Sequence, residues 1–395
     1  MPSHPHRRCL TIIVGTLFTV VLVAGCRGAK PRVISVPLTR SATFIPTAAV
    51  RTGTSSSTLA PAATATSKRE GEGRTDVLSD EATATLNSLE RVDDYPLYVM
   101  YYHGAYDQIA SLGGQNKWKV GTGELASSPS RACSLFAALG APDNMLYGRN
   151  FDWGYSPAML LFTDPPNGYA SVSVVDIAYL GFEDGVVRRL TDLPLEERQA
   201  LLHTPFMPFD GMNEHGLVVG MAAVPESAMP YDTGKETLDS LEVIREMLDH
   251  ARDIDEAAGI LRSYNIDWGS GPPLHYLLAD AAGRAMLVEF YQGEMVSIPD
   301  EGAPASGWHL ATNFLRSSVG DSAEGVCSRY DRIHRRLSET QGRLAVQGAV
   351  DLLGGVSQGN TQWSVVYEIS SREVNVAMGR QFSILYSFPV GSPDR

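Results

Sequence analysis

The feature that most constrains the fold is a set of strand-like segments that occur in pairs, with a short turn inside each pair. One pair is 276–278 with 286–290, and another is 364–369 with 374–378; further strand candidates are 171–179 and 216–223. The turns, 280–283 and 370–373, suit hairpins. Apolar residues at helical spacing form separate blocks: 241–251, 254–261, 330–337 and 345–353. Hairpins with helices grouped between them predict an α+β fold built on antiparallel sheet.

The N-terminus resembles a bacterial lipoprotein signal. Two arginines, Arg7 and Arg8, precede an apolar run over 10–23, which is followed by small residues and Cys26. A basic start, a short apolar run and a small-residue cleavage point are typical of a signal peptide. The run is shorter than the roughly 20 residues that a membrane-spanning helix needs. We therefore expect 1–25 to be a signal peptide, Cys26 to carry lipid, and the protein to be held extracytoplasmically on the bacterial cell membrane.

The segment after Cys26 is rich in Ser, Thr, Ala and Pro, most densely over 37–75. Such a composition cannot bury enough apolar surface to offset its chain entropy. We expect 26–78 to be a disordered tether between the membrane and a folded body. Order should begin near Ser79, because Asp80 and Glu81 suit the first turn of a helix.

Charge and cysteine content exclude several functions. The net charge is −13 and no long basic run occurs, so nucleic acid is not an expected partner. Cys9 leaves with the signal peptide and Cys26 carries lipid, so Cys133 and Cys327 remain for the mature protein. The sequence leaves open whether these two pair. No cysteine or histidine cluster has zinc-like spacing, and neither a structural metal nor a cofactor is expected.

Cys133 is the first candidate for chemistry, although a cysteine beside Leu and Phe is commonly just a small buried apolar residue. A hairpin that turns at 141–144 would bring Arg149 and Asp152 back beside it. An arginine favours the thiolate, and a carboxylate can hold an amine or that arginine. From these residues alone, a structural ion pair between Arg149 and Asp152 is an equal alternative.

Five motifs in order resemble the choloylglycine hydrolases, penicillin V acylases and related linear-amide hydrolases, over roughly Cys133 to Phe388. They are Cys133-Ser134-Leu135-Phe136 with Gly148-Arg149-Asn150-Phe151-Asp152-Trp153, then Asp210-Gly211-Met212-Asn213-Glu214-His215-Gly216-Leu217, Thr312-Asn313, Ser328-Arg329 and Thr361-Gln362-Trp363-Ser364-Val365-Val366-Tyr367. The resemblance implies an amidase with the N-terminal-nucleophile fold. That fold is an αββα sandwich of two antiparallel sheets between helical layers.

By this resemblance, Cys133 is the nucleophile and its own α-amine is the base. Asp152 binds that amine, while Arg149 and Arg329 support the thiolate and the charge balance of the site. An α-amine with a pKa of about 7.7–8.0 can take and return a proton at neutral pH. Catalysis then needs no histidine, and His215 is expected to be solvated or structural.

The resemblance also implies two donors for the oxyanion. Asn313 offers its side-chain amide, and the second donor is a main-chain N–H that counting to Pro225 assigns to Ala223. Relatives often carry Asn or Tyr at that position, so Ala223 keeps the backbone donor without a side-chain role. Two donors aimed at a developing oxyanion stabilise the transition state strongly in a dry site.

One departure concerns the amine of Cys133, which is tied up in the Ala132–Cys133 peptide bond. The mechanism requires that bond to be cleaved. In relatives with long pro-segments the cysteine attacks the preceding carbonyl, giving an ester that water opens, and we expect the same here. Residues 79–132 are then a pro-segment and 133–395 the hydrolase domain. The apolar stretch 98–102 is expected to keep the two pieces packed together.

Several alternatives stay open. Cys327 is expected to be core packing rather than the nucleophile. A thiol hydrolase would pair a cysteine with a distant histidine, and a lipid-anchored binding protein would leave the chain uncut. Acyl transfer to an amine would replace hydrolysis. The expected partner is a small N-acyl amide such as a bile-salt conjugate, penicillin V, an N-acyl amino acid, an acyl-homoserine lactone or a peptide-like amide; Phe151, Trp153 and Phe314 favour an apolar acyl group.

Overall fold

The computed structural model describes residues 32–36, 78–106, 132–182, 185–269, 271–300, 307–319 and 323–390. The predicted signal peptide, Cys26 and most of the predicted tether lie outside the described residues. The helix expected after Ser79 is present: the Ser79 hydroxyl accepts the Ala82 N–H at 3.1 Å and caps α1 (Asp80–Asn87). One short strand, β1 (Arg32–Ser35), lies within the segment that we expected to be a disordered tether.

Sheet I has seven strands in the order β1-β18-β17-β16-β5-β4-β15. Besides β1, its strands are β4 (Ala132–Ala138), β5 (Leu146–Asp152), β15 (Trp308–Ala311), β16 (Thr361–Glu368), β17 (Glu373–Met378) and β18 (Ile384–Pro389). All neighbours are antiparallel except β1 and β18. The predicted hairpin at 364–378 is confirmed, with Val366 opposite Asn375.

Sheet II has nine strands in the order β14-β13-β12-β9-β8-β7-β6-β3-β2. They are β2 (Glu90–Asp93), β3 (Leu97–Tyr102), β6 (Ala158–Thr163), β7 (Ser171–Asp176), β8 (Pro208–Asn213), β9 (Val218–Ala223), β12 (Leu274–Ala279), β13 (Ala285–Tyr291) and β14 (Glu294–Pro299). A separate parallel pair is formed by β10 (Thr237–Asp239) and β11 (Asn265–Asp267). The predicted hairpin at 276–290 is confirmed, with Leu278 opposite Met286.

The predicted strand 171–179 ends early. After Asp176 the chain turns into a 3-10 helix, Ile177–Leu180, because the Asp176 carboxylate accepts the Ala178 N–H at 2.9 Å and caps that turn. The predicted helical blocks are confirmed. They form α2 (Glu242–His250), α3 (Ile254–Ser263), α4 (Ser328–Thr340) and α5 (Val346–Val356).

The elements stack in four layers. One apolar core lies between the sheets and contains Leu135 and Tyr147 of sheet I with Val219 and Leu277 of sheet II. A second core joins sheet I to α4 and α5, whose apolar residues recur at helical spacing. Helices α2 and α3 contact sheet II, as do α1 and the 3-10 helix Leu195–Phe206. These layers confirm the expected α+β fold, two sheets between helical layers.

Part of the predicted pro-segment is built into this body. Strand β3 pairs with β6 in parallel along its whole length and with β2 on its other side. Leu97, Tyr98 and Met100 are fully buried. Among the described residues, no helix combines the length and apolar character needed to cross a membrane.

Candidate active site

The hairpin of β4 and β5 brings the first candidate residues together. Cys133 lies opposite Phe151, and Leu135 lies opposite Arg149. Because residues two apart in a strand share one face, Cys133 and Arg149 both project toward sheet II. The predicted hairpin, which turns through a 3-10 helix at Pro142–Asn144, is therefore confirmed.

The environment of the Cys133 thiol acts on its pKa in two directions. Burial raises the pKa, since the residue is only 1% exposed. The neighbouring Arg149 charge lowers it, the Asp152 charge raises it, and a hydrogen bond from the Asp152 backbone N–H lowers it. Burial dominates, so the pKa lies above its usual value. In the uncut chain the sulfur is thus held as a thiol next to a cation that favours the thiolate.

Arg149 forms its ion pair with Asp210 of β8, and not with Asp152 as one interpretation of the sequence allowed. Its Nη1 also donates to the Phe209 carbonyl at 2.5 Å, and Asp210 accepts a further hydrogen bond from Tyr367. All of these side chains are fully buried. Apart from the Cys133 thiol, whose pKa the guanidinium lowers through its charge and a hydrogen bond, Nε and Nη2 of Arg149 have no hydrogen-bond partner among the described residues.

Asp152 is a buried carboxylate with one oxygen in use. One oxygen accepts the Thr361 hydroxyl, whereas Oδ2 has no hydrogen-bond partner among the described residues. Burial raises the pKa of Asp152 to about 6, although Thr361, Arg329 and Arg149 each lower it. Asp152 lies opposite Ala132, the residue before the proposed cleavage point. A carboxyl group with a pKa of about 6 therefore lies beside the Ala132–Cys133 bond.

Asn313 and Arg329 hold the backbone of Cys133. The Cys133 N–H donates to Asn313 Oδ1 at 2.6 Å. Arg329, in the first turn of α4, donates from Nη1 to the Cys133 carbonyl and to Ser134 Oγ (3.0 Å), and from Nη2 to Asn313 Oδ1 (3.0 Å). Both backbone polar groups of Cys133 are thereby bound, so this residue has a defined position.

Ala223 lies beside Asn313 at the end of β9. Its carbonyl accepts Asn313 Nδ2 at 2.8 Å. The next residue, Val224, donates its N–H across to Pro273 at 2.9 Å, next to β12. Because backbone polar groups alternate along a strand, the Ala223 N–H points away from β12, on the same side as its carbonyl. All six predicted catalytic residues, Cys133, Arg149, Asp152, Ala223, Asn313 and Arg329, thus belong to one connected cluster.

An apolar cleft opens at Cys133. Its lining is almost entirely aromatic and aliphatic: Phe151, Trp153, Tyr179, Phe209, Met221, Ala223, Leu241, Pro272 and Leu274, with Ser240 and Gly271. Phe151 and Trp153 line the cleft as expected. Phe314 instead packs against Tyr330 of α4, with ring centroids 5.2 Å apart. The wall from β8, β9 and β12 was not predicted, although Phe209 directly precedes a recognised motif.

The other candidate residues take structural positions. Cys133 and Cys327 are both free thiols. Cys327 is half-buried against the core of α4 and α5, as expected. His215 packs edge-on against Tyr169, with centroids 4.4 Å apart. The sequence also missed Thr361 as the partner of Asp152 and Asp210 as the partner of Arg149, although both lie inside recognised motifs.

Comparison with known proteins gives a family match and several similar solved structures. Residues 133–301 match the family model of linear amide C–N hydrolases, choloylglycine hydrolase family. Among solved structures, penicillin V acylase from Agrobacterium tumefaciens is similar at 17% identity and a TM-score of 0.43, covering 62% of this chain and 83% of that one. A mutant of the conjugated bile acid hydrolase from Clostridium perfringens gives 14% identity and a TM-score of 0.46, covering 65% and 92%. Residues 133–301 are thus similar to the choloylglycine hydrolase family of linear amide C–N hydrolases, as the motifs indicated.

Proposed function

We propose that this protein is an extracytoplasmic amidase that hydrolyses the linear C–N bond of an N-acylated small molecule, with Cys133 as its N-terminal nucleophile. The observation that carries the proposal is that the Cys133 thiol, its clamped backbone and the Asn313 amide meet at one end of an apolar cleft. The family match of residues 133–301 supports the reaction class.

The first step is self-cleavage. The Cys133 thiol loses its proton and adds to the carbonyl carbon of Ala132. The C–N bond then breaks, the Cys133 nitrogen takes up a proton, and a thioester forms between Ala132 and Sγ. Water hydrolyses the thioester, leaving a carboxylate on Ala132 and a free thiol and α-amine on Cys133. Asp152, with an unpartnered oxygen and a pKa of about 6, is the proton acceptor that the uncut site offers.

Amide hydrolysis follows the same course on a substrate. The new α-amine takes the thiol proton, and the thiolate adds to the substrate carbonyl. The amine leaving group departs with a proton, and water hydrolyses the acyl thioester. The Asn313 amide nitrogen carries two hydrogens and uses one of them on the Ala223 carbonyl. The second hydrogen and the Ala223 N–H are then the donors to the oxyanion.

The cleft selects the acyl side of the substrate. Its walls are apolar and aromatic. Among the described lining residues, the side-chain hydroxyls are those of Ser240 and Tyr179. Each methylene buried there contributes about 0.8 kcal/mol to binding at most. We therefore propose an apolar acyl group as the recognised part of the N-acyl amide.

The pro-segment remains with the enzyme after cleavage in this proposal. Strand β3 is hydrogen-bonded on both sides within sheet II, so a cut at Ala132 does not release it. The hydroxyl of Tyr95 also donates to Gln362 Oε1 at 2.7 Å. Gln362 directly follows Thr361, the residue whose hydroxyl donates to Asp152. A lipid on Cys26 would then hold the whole enzyme at the membrane through noncovalent packing.

The test is the intact mass of the purified chain without its signal peptide. Wild type should give two fragments, one of which begins at Cys133, and hydrolyse an N-acyl amide with an apolar acyl group. Cys133→Ala should stay uncut and inactive, whereas the matched control Cys327→Ala should behave as wild type. An uncut, inactive wild type would refute the proposal and favour a binding protein.

Two further measurements address the products. Release of free acid when an amine is added at high concentration supports hydrolysis, whereas an acylated amine would indicate acyl transfer. In cells, the fragment that begins at Cys133 should sediment with membranes, and Cys26→Ser should free it. A large fragment that washes off wild-type membranes would overturn the anchoring.

A further inference from the structure

Two buried ionisable side chains outside the catalytic scheme lie on neighbouring strands of sheet II. They are His275 of β12, 1% exposed, and Glu289 of β13, fully buried. His275 Nδ1 lies 3.2 Å from Glu289 Oε1. An ionised carboxylate only accepts hydrogen bonds, so Nδ1 carries the hydrogen. Burying such a pair is unfavourable unless further hydrogen bonds satisfy it.

For Glu289, those further hydrogen bonds come from one short turn, whereas His275 Nε2 has no hydrogen-bond partner among the described residues. Glu289 accepts the N–H of Arg316 at 2.7 Å, the N–H of Ser317 at 2.8 Å and the Ser317 hydroxyl at 2.7 Å. The turn is a 3-10 helix, Arg316–Ser318, whose N-cap residue offers no side-chain hydrogen bond of its own. The Glu289 carboxylate therefore caps this turn from a different part of the chain, 27 residues earlier than Arg316.

The capped turn directly follows the oxyanion residue. Asn313 lies three residues before Arg316, and its side chain contacts both the Cys133 N–H and the Ala223 carbonyl. A displacement of the turn would carry the Asn313 backbone with it and break both contacts. Glu289 and Ala223 belong to the same sheet, so the anchor fixes Asn313 relative to its partner donor.

We propose that Glu289, oriented by His275, is a positioning residue for catalysis: it fastens the Asn313 loop to sheet II so that the Asn313 amide faces the reacting carbonyl. The inference rests on the proposed amidase function. It adds to that function a residue that touches neither the substrate nor Cys133.

The charge state of Glu289 fits this task. Burial alone would raise its pKa, but the hydrogen bond and charge of His275, together with the Ser317 donors, outweigh burial and hold the pKa below its usual range. The carboxylate is therefore ionised at neutral pH, and hydrogen bonds to an ionised acceptor are roughly twice as strong as neutral ones.

The test compares Glu289→Gln with Asp280→Asn. Asp280 lies at the turn of the β12–β13 hairpin, at the opposite end of β13 from Glu289. It is 1% exposed, accepts three backbone N–H groups and pairs with Arg284 at 2.6 Å. It is thus a matched buried cap away from Asn313. Glu289→Gln should lower kcat about tenfold to a hundredfold with KM within about twofold, because misplaced catalytic groups lose rate rather than binding. Asp280→Asn should leave both constants within about twofold, and Ser317→Ala, which removes one donor, should fall between the two.

Hydrogen exchange separates this inference from the proposed function. In the uncut Cys133→Ala background, Glu289→Gln should speed exchange of the Arg316 and Ser317 amides at least tenfold, and Asp280→Asn should not. If wild type is inactive but Glu289→Gln still speeds this exchange, the proposed amidase function is wrong, whereas the anchoring of the Asn313 loop by Glu289 is supported. Unchanged exchange would overturn the anchor even in an active enzyme, as would a Glu289→Gln effect on KM alone.

Discussion

The two sheets contribute differently to the site. Sheet I and the segments that follow it carry the reacting and charged groups, Cys133, Arg149 and Asp152, with Arg329 entering from α4. Sheet II supplies more of the apolar wall than sheet I does: Phe209, Met221, Ala223 and Leu274 lie on its strands, whereas Phe151 is the cleft-lining residue of sheet I besides Cys133. The sequence motifs include the charged and reacting residues, but they include few residues of the apolar wall. In the proposed function, the chemistry is therefore concentrated on sheet I, and sheet II contributes to selection of the acyl group.

Polar contacts that join the sheets at the site include a buried charge pair and a side-chain amide. Arg149 of β5 pairs with Asp210 of β8, and Asn313 reaches from the end of sheet I to the Ala223 carbonyl of sheet II. If this division is right, changes at the junction should affect folding, changes on sheet I should affect proton chemistry, and changes on the sheet II wall should affect selectivity.

The largest effect is expected at the junction. Asp210→Asn leaves the Arg149 guanidinium buried without its counter-charge, and breaking a buried pair in this way costs about 3–5 kcal/mol of unfolding free energy. Urea denaturation of the uncut Cys133→Ala chain measures it. The control is Asp94→Asn, which breaks an exposed ion pair with Arg91 and should change stability by less than about 1 kcal/mol. Equal losses in the two variants would contradict the idea that the Arg149 pair joins the sheets.

The next effect concerns the pH dependence of stability through Asp152 on sheet I. Its pKa in the folded chain is about 6, above the usual 3.8, because of burial. The folded state therefore holds this proton over a range where the unfolded state has lost it. Stability from this group is present below pH 4 and is lost as the pH rises to 6, by at most about 3 kcal/mol.

Asp152→Asn, made in the uncut Cys133→Ala chain, should remove this decline. The difference in unfolding free energy between the variant and its parent should grow from pH 4 to pH 6.5 in favour of the variant. The same change at exposed Asp94 serves as control and should leave the pH curve in place. A constant difference across this range would show that Asp152 does not titrate there.

Local patterns predicted most elements and the nucleophile hairpin. Helices α2 to α5 were predicted from the spacing of apolar residues, and the hairpins from turns between apolar strands. Each of these signals consists of residues that are close together in the sequence. The Arg149–Asp152 interpretation failed because the competing carboxylate, Asp210, is about sixty residues away in sequence. A motif indicates which residues lie close together in the fold, but it does not indicate which of them form an ion pair.

Long-range pairing and caps from elsewhere in the chain were beyond local patterns. Nothing in the sequence of β3 indicates that it inserts in parallel beside β6, or that β1 joins the edge of sheet I. Glu289 lies in an otherwise apolar strand, and its partners are 27 and 28 residues away. The cleft wall was missed for the same reason, because Met221 and Leu274 meet only after β9 and β12 pair.

The smallest effect is expected on the sheet II wall. Leu274→Ala widens the cleft, so kcat/KM for an N-acyl amide with a long apolar acyl group should fall about tenfold, while an N-acetyl amide should be hydrolysed at an unchanged rate. Leu278→Ala is the matched control, because Leu278 lies on the same strand and is just as buried but does not line the cleft. It should lower stability without altering the ratio of the two substrates. If the ratio is unchanged in Leu274→Ala as well, acyl selection does not lie on this wall, and the division between a reacting sheet and a selecting sheet fails.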